Sequence, residues 1–276
     1  MLTLKKINNV RINAVPMTTP PDDRPVLGAD LFPTVYDSTF ICSRKKSGKS
    51  HLLYRILERC TDKSTNVFVI CPTHERDQVY SEIKRLLARR KQNAVYFDDD
   101  DLSSIIEEDG SSVLDKLIDE LRHPTPEPPR KTVKKLKTLA ETMFAPAAPP
   151  MPRCKRSKYQ SPEHVLIIDD CSHNLRHPSV ARFLKIHRHL HVKCFLSSQA
   201  FVDLAPSSFK QVDNMVIFRS LDTHKLEILW AAMDLHVTFE TFAEMYRIAT
   251  DEPYGFLNVN CRLDTYRVNF SRQFSV

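Results

Sequence analysis

Short continuous apolar runs alternate with amphipathic stretches along this chain. STFICS (38–43) predicts a buried strand, and a helix follows from Lys49 to about Cys60. NVFVICP (66–72) predicts a second strand, ERDQVYSEIKRLLARRKQ (75–92) a helix, and NAVYFDD (93–99) a third strand. A helical region runs from about Leu102 to Leu121. After a break the pattern resumes with HVLIIDD (164–170) as a strand, SVARFLKIHRHL (179–190) as a helix and VKCFLSSQ (192–199) as a strand. NMVIFRS (214–220) is a further strand, two helices occupy 222–248, and YGFLNVN (254–260) with TYRVNF (265–270) closes the chain as a hairpin or edge pair. Strands that are apolar throughout, alternating with helices, predict an α/β fold: a central, mostly parallel sheet flanked by helices on both faces.

Two regions depart from the pattern. Residues 1–36 are Pro-rich and predict an extended N-terminal arm, leaving 37–276 as one domain. Within it, proline clusters bound a basic insertion at about 123–162, an excursion from the core. Charge is concentrated there. Residues 130–158 hold nine Lys and Arg against Glu141 alone, a net +8 in a chain whose total is +6. The rest is therefore slightly acidic, and a concentrated positive segment points to a polyanionic partner.

No apolar run approaches the roughly 18 residues of a membrane span, and MLTLKKINNV lacks a signal-peptide core. A soluble, intracellular protein is expected. Seven cysteines without any CxxC, several in apolar runs, suggest reduced buried thiols. Cys171, His173, His187, His191 and Cys194 lack the compact spacing of a zinc site, so surface histidines are the plainer expectation. The acidic run Asp98–Asp101 is read as a strand end and helix cap, and Trp230 as a core residue.

The candidate chemistry begins at Ser43-Arg44-Lys45-Lys46-Ser47-Gly48-Lys49-Ser50. A phosphate-binding loop works because backbone N–H groups at a helix N-terminus surround the phosphates; Lys adds charge and the following hydroxyl binds Mg²⁺. Here the loop lies between a predicted strand and a predicted helix. Residues Ser43 to Ser50, with His51, are the candidate nucleotide-binding set. The usual first Gly is replaced by Ser43, and a basic turn after a strand would spell the same letters. The chain has only four glycines, however, and one of them is Gly48.

The second half of the site is VLIIDD, which places Asp169 and Asp170 at the end of an apolar strand. Two carboxylates there are expensive unless a cation or a reaction uses them. Asp169 is assigned to Mg²⁺ together with Ser50, and Asp170 to the attacking water. Gln199 ends the next apolar strand and can reach the γ-phosphate or that water.

SRKKSGKS (43–50), VLIIDDC (165–171), HRHLHVKCFLSSQAFVDLAP (187–206) and YGFLNVNCRLDTYRVNF (254–270) together resemble the genome-packaging ATPases of poxviruses and other large DNA viruses, a branch of the FtsK–HerA superfamily. The resemblance implies an ASCE-type (RecA-like) P-loop NTPase whose P-loop and Walker B strands are separated by the Gln199 strand. It implies ATP-driven translocation of double-stranded DNA into a capsid by a ring, often hexameric, with the protein in the host cytoplasm, the viral factory or the virion. It also makes Arg188, eleven residues before Gln199, the candidate arginine finger reaching a neighbour's γ-phosphate. Ser43 for Gly and Asp170 for Glu depart from the family pattern. Two other classes compete: a small P-loop kinase, which would need an acceptor pocket and an Arg-rich lid, and a nucleotide-gated assembly protein that holds DNA or capsid protein without turnover.

Overall fold

In the computed structural model, which describes residues 22–97, 113–122, 157–172 and 174–275, the strands join one nine-stranded sheet. The strands are β1 (Ser38–Cys42), β2 (Asn66–Ile70), β3 (Ala94–Phe97), β4 (His164–Asp169), β5 (Val192–Ser198), β6 (Asn214–Phe218), β7 (Phe256–Asn260), β8 (Thr265–Val268) and β9 (Arg272–Gln273). Their spatial order is β3-β2-β4-β5-β1-β6-β7-β8-β9. The pairs from β3 across to β6 are parallel; β7, β8 and β9 add antiparallel strands. The helices are α1 (Lys49–Cys60), α2 (Gln78–Arg89), α3 (Val113–Arg122), α4 (Pro178–Ile186), α5 (Pro206–Phe209), α6 (Thr223–Met233) and α7 (Phe239–Ala249). This is the expected α/β architecture.

Alternation along each strand divides the core in two, because successive strand side chains point to opposite faces. Phe40, Phe68, Ile70, Leu166, Ile168, Leu196 and Ile217 point to one face, with Leu117 and Ile118 of α3, Phe183 of α4, Leu229 of α6 and Phe242 of α7. Ile41, Val67, Val69, Val165, Ile167, Phe195 and Val216 point to the other, with Leu53 and Ile56 of α1 and Tyr80 and Ile83 of α2. Each fully buried Leu or Ile contributes about 1.5–3 kcal/mol. A strand buried on both faces has no polar side to spare, which is why the runs read as continuously apolar.

Several boundaries differ from the sequence expectation for local reasons. Asp77 accepts from the Val79 N–H at 2.7 Å and starts α2 three residues late, an Asx cap outcompeting the helix. Helix α4 stops at Ile186, and residues 187–191 turn directly into β5. The closing hairpin of β7 and β8 gains the short β9. Residues 22–36, expected as arm, lie on the domain: Phe32 is fully buried, tilted against Phe195 and edge-on to Phe270. The Val26–Gln160 bridge joins this segment to the C-terminal margin of the basic insertion. The remainder of the arm, residues 98–112 with the Asp98–Asp101 run, and insertion residues 123–156 fall outside the described residues.

His187, expected at the surface, is buried instead, with its Nδ1 2.9 Å from the Val192 carbonyl. Since a carbonyl only accepts, Nδ1 carries the proton. His191 stacks on Tyr36, and Trp230 is half-buried, donating from its indole to the Val237 carbonyl at 2.9 Å. Cys42, Cys60, Cys71, Cys171 and Cys194 are buried and outside any disulfide. No helix among the described residues is long and apolar enough to cross a membrane.

Candidate functional site

Parallel strands deliver their C-terminal ends to one edge of the sheet, and the ends of β1, β5 and β4 lie side by side there. That edge carries a cleft of about 500 Å³ lined by Arg44 to His51, Thr73, Asp77, Val79, Asp169, Asp170, Gln199 and Tyr254. The expected nucleotide-binding residues and both carboxylates therefore converge. Ser43 is the exception in the lining: it lies beneath the loop, fully buried, with its N–H donating to the Ser198 carbonyl at 3.0 Å.

The geometry of the loop explains why Ser43 can replace Gly. The left-handed positions between β1 and α1 are Lys46 (φ 63°) and Gly48 (φ 95°); Ser43 is not among them. A side chain at position 43 therefore meets no backbone penalty, whereas one at Gly48 would. A Cβ at Gly48 would also sit 3.2 Å from Cδ1 of Tyr254. Helices α2, α4, α6 and α7 each begin with a side chain accepting from a first-turn N–H. Helix α1 begins at Gly48 without one, so its N-terminus is left for an external acceptor. The Oγ atoms of Ser43 and Ser47 are buried without a hydrogen-bond partner.

Lys49 links the two halves. Its Nζ lies 2.7 Å from Asp169 Oδ1 and 3.3 Å from Asp170 Oδ1. Burial works against the ammonium charge, but the two carboxylates outweigh it and hold the Lys49 pKa above the ordinary lysine value.

The two aspartates sit in different surroundings. Asp169 is buried and held on every side: Tyr80 donates to Oδ2 at 2.7 Å, and Ser197 donates to Oδ1. Asp170 follows the end of β4 with a left-handed backbone, φ 63°, and is partly open to the cleft. Gln199 Nε2 donates to its Oδ1 at 3.0 Å. Burial alone would raise the Asp170 pKa, but the Gln199 hydrogen bond and the Lys49 charge prevail and hold it below the ordinary carboxylate value. Asp170 is thus ionised, oriented and reachable.

Sequence reasoning did not single out Tyr80, Ser197, Asp77 or Tyr254. Asp77 caps α2 through Oδ1 while its Oδ2 approaches Ser50 Oγ at 3.5 Å. The cap is legible as Asp before an amphipathic helix; its proximity to Ser50 is not. Ser50, Asp77 and Asp169 offer hard oxygen donors of the kind Mg²⁺ takes, so the residues present fit a Mg²⁺–nucleotide.

Arg188 is not brought to this cleft. It precedes β5, at the opposite edge of the sheet, roughly 23 Å away by the length of that strand. There it pairs with Asp213 beside a second cleft lined by Lys185, Lys210 and Arg262.

The fold is that of P-loop ATPase structures: an α/β domain with a mostly parallel central sheet between helices. The genome packaging NTPase B204 from Sulfolobus turreted icosahedral virus 2, solved in complex with ATP-gammaS, matches with a TM-score of 0.50 at 19% identity, over 85% of this chain and 96% of that one. The cytoplasmic domain of the type VII secretion ATPase EccC from Thermomonospora curvata matches with a TM-score of 0.45 at 15% identity, over 81% of this chain and 24% of that one. No protein-family model and no curated protein matches the chain.

Proposed function

We propose that this protein is an ATP-hydrolysing motor that translocates double-stranded DNA, packaging a viral genome into a capsid. The observation that carries the nucleotide-hydrolysis part of this reading is the junction of Lys49 with Asp169, Asp170 and Gln199 above an uncapped helix N-terminus. In the proposed reaction Lys49 exchanges carboxylate oxygens for those of the β- and γ-phosphates, while the loop N–H groups hold the phosphate chain. Asp169, fixed by Tyr80 and Ser197, and Ser50 would hold Mg²⁺, which neutralises charge between the β- and γ-phosphates. Asp170, ionised and facing the cleft, accepts a proton from the attacking water as the water oxygen bonds to the γ-phosphorus, while the bond from that phosphorus to the β,γ-bridging oxygen breaks and its electron pair leaves with ADP. Gln199 keeps that carboxylate aimed and reports γ-phosphate loss to β5.

DNA and ring assembly rest on the sequence resemblance alone; the genome-packaging role is also that of B204, whose fold this chain shares. The basic segment at 130–158 is the proposed polyanion contact, and a homohexameric ring with a capsid-protein partner is the proposed assembly.

Phosphate release from ATP, with no acceptor present, tests the reading. Wild-type protein should hydrolyse ATP faster when duplex DNA is added. Lys49→Ala should abolish turnover. Asp170→Asn should still bind ATP and turn over about 10²- to 10⁴-fold more slowly, the usual worth of a general base. Undiminished hydrolysis by Lys49→Ala would remove the P-loop reading, and transfer of the phosphoryl group to a nucleotide acceptor would replace the motor with a kinase.

A further inference from the structure

Tyr254 is the most exposed large apolar or aromatic side chain among the described residues, at 71%. It also has a left-handed backbone, φ 64°, a conformation that aromatic residues rarely adopt. An exposed ring on an unfavourable backbone is not explained by packing. The position is nevertheless built. Gly255 behind it donates its N–H to the Glu252 carbonyl at 3.0 Å. A Cβ at Gly255 would lie 2.5 Å from the Ala249 carbonyl, so only Gly lets the chain pass so close to the end of α7. Phe256, one residue further, anchors β7 between Phe218 and Phe270.

The topology then decides what the ring faces. β7 is antiparallel to β6, with Phe256 opposite Phe218, so its start lies at the C-terminal edge of the parallel strands. β6 pairs with β1 on the side away from β5. Tyr254 therefore flanks the phosphate loop opposite Asp169 and Asp170, touches the Gly48 position and lines the same cleft. Lys49, the two carboxylates and Ser50 mark where the terminal phosphates belong. A nucleotide seated that way directs its nucleoside to the other flank.

We propose that Tyr254 is the platform on which the nucleobase stacks. This deepens the reading of the cleft as a nucleotide site and rests on it. Stacking uses the face of the base, which every base presents and purines present more of. ATP should accordingly bind tighter than UTP, and the ring should be the source of that preference.

Isothermal titration of the full chain with ATP, UTP and inorganic tripolyphosphate tests this. Tyr254→Asn keeps a residue type that tolerates the left-handed backbone and removes the ring. It should lose about tenfold to a hundredfold in ATP affinity, keep its tripolyphosphate affinity and bind ATP and UTP alike. Tyr254→Trp should bind ATP as wild type does, and its added indole emission should be quenched by ATP and not by tripolyphosphate. Unchanged ATP affinity in Tyr254→Asn, or no ATP-specific quenching in Tyr254→Trp, overturns the platform while leaving the phosphate site standing. Loss through Tyr54→Ala instead would move the base to a neighbouring cleft between α1 and α2, lined by His51, Tyr54, Arg55, Gln78 and Glu82. If wild-type protein binds neither ATP nor tripolyphosphate, the nucleotide reading falls and the platform with it.

Discussion

Two carboxylates adjacent in sequence do different things because their neighbours differ. Asp169 is enclosed by Tyr80, Ser197 and Lys49; Asp170 turns out through a left-handed backbone to Gln199 and the cleft. Buried titratable groups away from the cleft matter in another way. Burial holds His187 and His164 below the ordinary histidine value of 6.5, so both are neutral in the folded protein at pH 7. Below pH 6.5 the unfolded chain takes up protons that the folded one refuses. Stability should therefore be full above that pH and fall as the pH drops below 6.5 towards the lowered folded-state values, by at most about 1.4 kcal/mol per pH unit for each proton. Urea unfolding of wild type and His187→Phe across this range checks it. The variant should be less stable at pH 7, having left the Val192 carbonyl unpartnered, and should show a shallower pH slope.

At the scale of elements, the least expected feature is a buried lysine in β5 paired with an aspartate just ahead of β1. Lys193 is almost fully buried, its Nζ 2.6 Å from Asp37 and 2.9 Å from the Thr34 carbonyl, and 5.0 Å from the centre of the Phe32 ring. The pair ties the segment before β1 to the strand between β1 and β4, the strand that also carries Gln199. Removing one partner of such a pair leaves an uncompensated buried charge. Lys193→Met should therefore lower the unfolding free energy by about 3–5 kcal/mol. Asp37→Leu combined with Lys193→Met should recover much of that loss in urea unfolding, because two apolar groups need no counter-charge. A double variant no better than Lys193→Met alone would mean that the hydrogen bond to Thr34 matters more than the charge balance.

For the whole molecule, the distance of Arg188 from its own P-loop sets the question of assembly. The proposed role is in trans, where an arginine finger is worth about 10³–10⁵ in rate. Turnover per subunit should rise with protein concentration, or with DNA that promotes assembly. Arg188→Ala should keep ATP binding and lose that rise. Mixing it with Lys49→Ala subunits should restore part of the activity, since each variant then supplies what the other lacks. Concentration-independent turnover together with a silent Arg188→Ala would leave Arg188 as the surface partner of Asp213, and the enzyme as self-sufficient.

By itself, the sequence determined which segments become strands and helices. Continuous apolar runs such as VLIID and VKCFLSS have no polar face and must be buried on both sides, and this requirement is local. It also determined the chemical content of the site, because Gly48-Lys49-Ser50 between a strand and a helix, and Asp169-Asp170 and Gln199 at strand ends, are readable within a few residues. Tertiary structure alone decided how they meet. That Ser43 suffices depends on the chain turning left-handed at Lys46 and Gly48 instead. That Tyr80 holds Asp169 joins residues 89 positions apart. That Tyr254 lies against Gly48, that His187 and Lys193 are buried, and that Arg188 lies at the far edge all follow from strand order. Periodicity states that an element has an apolar face; which distant element covers it is settled by the packing of the whole sheet.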